Sequence, residues 1–284
     1  MKKILITGAS GFIGSFILKN LNKNYFYYII ARDKSKLSKN RNSLIIKYKN
    51  YNQLNNKLKK IKVDLVIHCA THYVKFHNYN DLKKMVDSNI LLGNIILENI
   101  KNIGAKKIIN FSTTWIDGNG LKNNPKNLYA AYKSSFNNIL KYYQINNPNI
   151  KFYNLMIGDT FGINDKRIKL INVLKKNYHL NKTTNIVSKN LYINLLNVED
   201  LCSALLILIK KNLQSGDYDF QNTKNYLISD IIKKFNNQIK KKIKINWISS
   251  KKIKFNKATY IKLKDWKIKK SNIDDIIDLI SNYK

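Results

Sequence analysis

The sequence predicts an α/β protein built on a doubly wound parallel sheet, followed by a smaller α/β region. Three observations predict it. Apolar runs of strand length alternate with segments of helical period through the first half of the chain. A glycine-rich turn, Thr7-Gly8-Ala9-Ser10-Gly11-Phe12-Ile13-Gly14, directly follows the first apolar run and opens a helix. The run at residues 64–69 is apolar enough to be buried on both faces, as central parallel strands are.

The elements follow in order. Residues 3–7 form the first strand and 12–22 the first helix. Strands at 25–30 and 44–48 come next, then a helix at 54–61 and the apolar strand at 64–69. Across 81–101, Leu82, Met85, Val86, Asn89, Ile90, Gly93, Ile96, Leu97 and Ile100 keep a helical period. A strand at 106–111 precedes a long helix at 128–143, and a strand at 151–157 ends the dinucleotide-binding part, residues 1–157. Residues 158–284 form the mainly substrate-binding region, with Gly158 to Gly162 as the boundary cue. That region reads as helix 168–177, strand 191–196, helix 198–211, a strand at 216–221 that returns to the main sheet, helix 228–239, strand 243–247 and a terminal helix from 273. With only two prolines, Pro125 and Pro148, Asn and Gly carry the punctuation.

Lys and Arg number 52 against 17 acids in 284 residues, a formal charge of +35. Lysines are scattered along the whole chain rather than gathered in a tail or stripe. The charge therefore reads as a compositional bias that attracts phosphorylated ligands, and no specific nucleic acid is expected. Cys69 and Cys202 lack metal-ligand spacing, so no metal is expected and both thiols stay reduced in a cytoplasmic protein. Met1-Lys2-Lys3 before an apolar stretch imitates a signal peptide, but Thr7-Gly8 breaks the run and the residues make a better strand and phosphate turn. No segment approaches a membrane span in length.

The turn carries the first chemistry. Gly8 allows a sharp bend, Gly11 a close backbone approach to pyrophosphate, and Gly14 tight helix packing. The helix N-terminus then presents N–H groups and a positive dipole end to the phosphates. The second feature is Tyr129-Ala130-Ala131-Tyr132-Lys133. Tyr129 and Lys133 share one helix face, and an ammonium beside a phenol stabilises the phenolate, which suits proton exchange with a carbonyl or alcohol oxygen. A hydroxyl cluster, Ser112-Thr113-Thr114, follows the fifth strand. Arg32, at the end of the second strand, is placed for the 2′-phosphate of NADP. NADP(H) is thus expected, with NAD(H) the alternative if Asp33 takes the place of the acid that bonds a ribose 2′-hydroxyl. His68 reads as structural.

These residues resemble the extended short-chain dehydrogenase/reductase superfamily over nearly the full length. Residues 7–14 match its cofactor turn, so Gly8, Ser10, Gly11, Phe12, Ile13 and Gly14 are the implied cofactor-binding residues. Residues 64–70 resemble its fourth-strand signature, which implies that Cys69 and Ala70 line the cofactor. Asn89 and Gly93 match its fourth-helix motif, and Asn89 is an implied cofactor residue. Val198-Glu199-Asp200 and Asp265-Trp266-Lys267-Ile268 resemble its late signatures. The resemblance implies a Rossmann fold and a catalytic set of Thr113, Tyr129 and Lys133, with Ser112 or Thr114 if the register slips, and with Lys133 also on the nicotinamide ribose. It implies a homodimer through helices 81–101 and 128–143.

The short stretch between Thr113 and Tyr129, and residues 158–169, resemble the subgroup that makes CDP-abequose and CDP-paratose. That subgroup reduces the 4-ketone of a nucleotide-linked deoxysugar in surface-polysaccharide synthesis. Asp165, Arg167 and Lys169 are then substrate candidates, together with Thr71 and Tyr73 in the loop over the sugar. His77 is a further contact candidate, and Trp115 is either a wall beside the sugar or a loop anchor. Sugar dehydratases of the superfamily carry Asp and Glu where this chain has Thr114 and Trp115, which argues against elimination of water. A nucleotide-sugar 4-epimerase using NAD is the alternative. A non-catalytic dinucleotide sensor or nucleic-acid binder on the same fold is the remote one. The family often places an Asp after the third strand to meet adenine; none stands there, so Asn50 or a backbone group would substitute.

Overall fold

Strand β1 (Lys2–Thr7) lies inside a seven-stranded sheet. The computed structural model describes residues 1–21, 24–32, 37, 42–74, 76–253 and 258–282. Helix α1 (Phe12–Asn20) leads to β2 (Tyr25–Ala31) and β3 (Ser43–Lys47), then α2 (Tyr51–Leu58) and β4 (Leu65–His68). Helix α3 (Tyr79–Val86), a π-helical turn at Asp87–Leu91 and α4 (Leu92–Glu98) precede β5 (Lys107–Thr113). Helix α5 (Leu128–Asn146) and β6 (Lys151–Ile157) follow. The sheet order is Gly216–Phe220, β6, β5, β4, β1, β2, β3. Pairing from β6 through β3 is parallel.

The order reverses between β1 and β4, and the strands there end level, Thr7 beside His68. A crevice at the carboxyl ends of such strands is where this topology binds ligands. Local chemistry sets the helix starts. Asn127 caps α5 by accepting from Ala130 N at 2.9 Å, and Asn78 with Asp81 makes a capping box on α3. On one sheet face Leu5, Val66 and Ile108 pack with Leu92, Ile96, Phe136 and Leu140. Each such burial contributes about 1.5–3 kcal/mol.

Two compact units are present. The first comprises Met1–Ile157, Leu205–Asp219 and Ala258–Leu263; the second comprises Gly158–Ala204, Phe220–Lys257 and Lys264–Lys284. In the second, β7 (Asp159–Phe161) pairs with Leu195–Asn197, Thr184–Ile186 with Ile245–Trp247, and Tyr192–Ile193 with Tyr226–Leu227. Helices Leu170–His179, Ile228–Gln238 and Ile273–Ser281 contribute Leu174, Phe235 and Ile276 to its core.

Several details differ from the sequence reading, the second helix starting at Tyr51 rather than residue 54 among them. The helix expected over 81–101 is interrupted by the π-turn. The strand expected over 191–196 breaks at Asn194, whose amide bonds Asn222 O, Lys224 O and Asn225 Oδ1. Strand β5 continues to Thr113, because Phe111, Ser112 and Thr113 pair in register with Leu155, Met156 and Ile157. Among the described residues, no helix is long and apolar enough to cross a membrane, and no group of three or more His, Cys, Asp or Glu is gathered to hold a metal ion.

Candidate active site

The turn after β1 is tight. Gly11 N donates to Gly8 O at 3.0 Å and Ser15 N to Gly11 O at 2.9 Å. Gly8 has φ +69°, and a Cβ there would lie 2.6 Å from Ala70 N. A Cβ on Gly14 would be driven into the Gly8 carbonyl. Backbone, not side chain, therefore fills the junction of β1, β4 and α1. Ser10 and Gly11 are exposed, and Phe12 and Ile13 half-buried. Gly11 caps α1 without a side chain, and the first turn holds no acid. The helix dipole thus points its positive end at an opening that suits a diphosphate. A dinucleotide fits these residues.

Thr7 ties the two strand ends together. Its Oγ1 accepts from Ala70 N at 3.1 Å and lies 2.9 Å from His68 Nδ1. With the hydroxyl proton given to Nδ1, His68 is the neutral Nε2–H tautomer, an assignment from the bonding pattern. Burial, aided by the Lys133 ammonium, holds the His68 pKa at about 3, so the ring is uncharged. Cys69 and Ala70 continue past the strand end beside Gly8.

Arg32 is exposed at the end of β2 and donates to Ser88 Oγ at 3.0 Å. Tyr48 and Tyr51 lie near it, their rings 5.7 Å apart; burial raises both phenol pKa values, that of Tyr51 to about 12, and the Arg32 charge opposes the rise. Asp33 lies outside the described residues. Asn50 caps α2 by accepting from Gln53 N at 2.9 Å. Asn89 is buried in the π-turn. Its Oδ1 accepts from Thr71 Oγ1 and His72 N, both at 2.8 Å, and its Nδ2 donates to His72 O at 3.0 Å. The Asn89 amide thus holds the loop after β4 on both its oxygen and nitrogen sides.

That loop carries Tyr73 to Tyr129. Their rings meet edge to face, 5.1 Å apart at 82°. Tyr73 also meets Trp115 at 5.8 Å and 69°. Trp115 sits under the Lys126 ammonium, 5.9 Å from the ring centre. Thr113 ends β5, and its Oγ1 accepts from Trp115 N at 3.3 Å. Its neighbours are committed elsewhere: Ser112 donates to Asn137 Oδ1 at 3.1 Å and Thr114 to Ile157 O at 3.4 Å. Lys133, one turn after Tyr129, is 1% exposed. Its Nζ donates to Phe111 O at 2.7 Å. Burial pushes its pKa down to about 8, against the smaller opposing influence of Cys69. The glycine turn, Arg32, Cys69, Ala70, Thr71, Tyr73, Asn89, Thr113, Tyr129 and Lys133 all lie in the first unit.

Asp165, Arg167 and Lys169 lie in the second unit. Arg167 Nη2 donates to Asp165 Oδ2 at 2.7 Å, and to Thr160 O and Oγ1 at 2.9 Å. Lys169 donates to Asp159 Oδ1 at 3.0 Å. Both cations hold β7. The two late signatures meet: Asp200 accepts from Lys269 N and Lys270 N at 2.8 Å, and Trp266 Nε1 donates to Asp200 O at 3.1 Å. Sequence reasoning missed Thr7 and Ser88 as contributors. Thr7 stood in the motif beside Gly8, but Ser88 carried no signal.

Residues 4–221 match the model of the NAD dependent epimerase/dehydratase family. The chain belongs to this family. A nicotinamide dinucleotide is accordingly the cofactor class. Over 229 residues the chain is 29% identical to the CDP-abequose synthase of Yersinia pseudotuberculosis, covering 79% of this chain and 78% of that protein. It is 29% identical over 278 residues to the dTDP-D-glucose 4,6-dehydratase of Dictyostelium discoideum, covering 84% and 62%. The UDP-glucose 4-epimerase of Thermotoga maritima, solved with UDP-glucose, shares the fold at a TM-score of 0.80 and 16% identity, covering 98% of this chain and 97% of that one.

Proposed function

We propose that this family member is an NADPH-dependent ketoreductase. Its substrate is the 4-keto group of a nucleotide-linked deoxyhexose, with CDP as the nucleotide, in the synthesis of surface-polysaccharide sugars. The observation that carries the reading is the buried Lys133 ammonium one helical turn from Tyr129, below the strand end that bears Thr113. Similarity to a CDP-abequose synthase supports the substrate class. Thr114 and Trp115, which cannot exchange protons as an acid pair would, speak against elimination of water.

The chemistry is the conversion of a ketone to an alcohol. Bound nicotinamide supplies hydride to the ketone carbon. Tyr129 gives its phenolic proton to the ketone oxygen, and the Lys133 ammonium favours the tyrosinate left behind. Thr113 accepts from Trp115 N, so its own hydroxyl proton is directed to the sugar oxygen. Gly8, Ser10, Gly11, Phe12, Ile13 and Gly14 would form the turn that holds the dinucleotide, with Gly11 backbone on the pyrophosphate, Arg32 on the 2′-phosphate, and Cys69, Ala70 and Lys133 at the nicotinamide end. Asn89 acts through the loop it clamps. Asp165, Arg167 and Lys169 are proposed on the nucleotide side of the substrate. Pairing of two copies through the helices at 81–101 and 128–143 is part of the same proposal.

The test is absorbance at the NADPH band with NADPH or NADH and CDP-4-keto-3,6-dideoxyglucose, alongside dTDP- and GDP-linked 4-keto-6-deoxy sugars. Loss of NADPH signal with the CDP sugar is expected. Tyr129→Phe should lower turnover by about 10²–10⁴-fold while dinucleotide binding persists. No loss with any sugar, together with NAD released on denaturation, would move the assignment to a 4-epimerase.

A further inference from the structure

We propose that Tyr73 and Trp115 form an aromatic corner that receives a deoxygenated edge of the sugar, making these two side chains the determinants of a deoxysugar over its hydroxylated counterpart. The inference rests on the reading of Tyr129 as the proton donor to a sugar ketone. Three rings, Trp115, Tyr73 and Tyr129, are in contact in series. The carbon-bound hydrogens of a sugar edge pack well on such rings, whereas a hydroxyl pressed against them loses its water without gaining a partner.

The corner is built, not incidental. On one side the Asn89 amide fixes the Thr71 hydroxyl and the His72 backbone immediately before Tyr73. On the other, Lys126 N donates to Trp115 O at 3.0 Å while its ammonium covers the ring. The loop between them closes with Gly118 N to Asn124 O at 2.8 Å and is anchored where Tyr260 OH donates to Asp117 Oδ2 at 2.8 Å. Thr113, which accepts from Trp115 N, sets the corner directly against the end of β5. All three rings remain half-buried, so each keeps surface for a ligand.

The experiment compares CDP-4-keto-3,6-dideoxyglucose with CDP-4-keto-6-deoxyglucose, which differ by one hydroxyl. The wild type should prefer the former by about tenfold to a hundredfold in kcat/KM, the discrimination an apolar wall provides against an added hydroxyl. Trp115→Ala and Tyr73→Ala should shrink that preference severalfold, mainly through KM, whereas Trp115→Phe and Tyr73→Phe should preserve it. NADPH binding and thermal unfolding monitor each variant's fold, and Tyr73→Leu and Trp115→Leu replace any alanine variant that does not fold. An unchanged preference in the alanine or leucine variants, or none in the wild type, overturns the corner while leaving the ketoreductase standing. If no 4-keto sugar turns over, the ketoreductase fails and the corner is judged by calorimetry with CDP-3,6-dideoxyglucose against CDP-6-deoxyglucose. Loss of the preference for the 3-deoxy sugar in the Trp115 and Tyr73 variants then supports it, and an unchanged preference refutes it.

Discussion

Replacing Lys133 by Met separates what the buried ammonium does for chemistry from what it costs the fold. Its pKa falls from the ordinary 10.5 to about 8 because the fold removes it from water. At about 1.4 kcal/mol per tenfold, that difference corresponds to about 3 kcal/mol against folding wherever the group is charged in both states. Met removes this cost but leaves the Phe111 carbonyl without its buried donor, a loss of about 1–3 kcal/mol. At pH 7 the two effects nearly offset, and stability should change by less than about 2 kcal/mol. The pH dependence is the sharper readout. Between pH 8 and pH 10.5 the unfolded chain still binds the proton that the folded protein has released, so wild-type stability rises with pH through that window. Relative to Lys133→Met, the wild type should gain about 3 kcal/mol across it and nothing below pH 8. Urea unfolding followed by circular dichroism at closely spaced pH values measures the difference. Parallel curves for the two proteins from pH 7 to pH 10.5 would refute the account of Lys133 as a cation held out of water. The same variant should lose turnover at every pH.

Two further predictions concern the turn after β1 and Arg32. Gly8→Ala forces a side chain into a left-handed conformation 2.6 Å from Ala70 N, so stability should fall by at least about 2 kcal/mol, read as a lower unfolding temperature. Arg32→Ala should raise KM for NADPH at least about tenfold and leave KM for NADH unchanged, the loss of one charge-assisted contact to the 2′-phosphate; equal effects on both would remove Arg32 from cofactor choice.

Much of the first unit was legible in the sequence because its elements are long and their periods clean. The apolar run at residues 64–69 reads as a buried strand, which Leu65–His68 is, and the turn at Gly8 announced the helix behind it. Tyr129 and Lys133 were legible as a pair because helical spacing alone puts them on one face. Strands of two or three residues, such as Tyr192–Ile193 and Tyr226–Leu227, carry no period to read. Whether Arg167 and Lys169 stand open or hold their own chain depends on how residues 159–169 curl, and that curl brings Asp165 and Asp159 to them. The role of Ser88 was equally hidden, since a partner 56 residues away leaves no local trace.

The π-turn at Asp87–Leu91 has a consequence for how this region can vary. Its carbonyl and side chains reach Tyr51 through Asp87 O, Arg32 through Ser88, and the Thr71 hydroxyl and His72 backbone through Asn89. It also joins two apolar faces, Met85 before it and Leu92, Gly93 and Ile96 after it. Deleting one residue to restore a regular helix would rotate everything beyond it by about 100°. Gly93 would leave the Phe136 ring, against which no larger residue fits. A change in length here is therefore felt as a rotation rather than absorbed as a longer or shorter loop, and the contacts to Tyr51 and Arg32 and the hold on the Tyr73 loop would be lost in the same event.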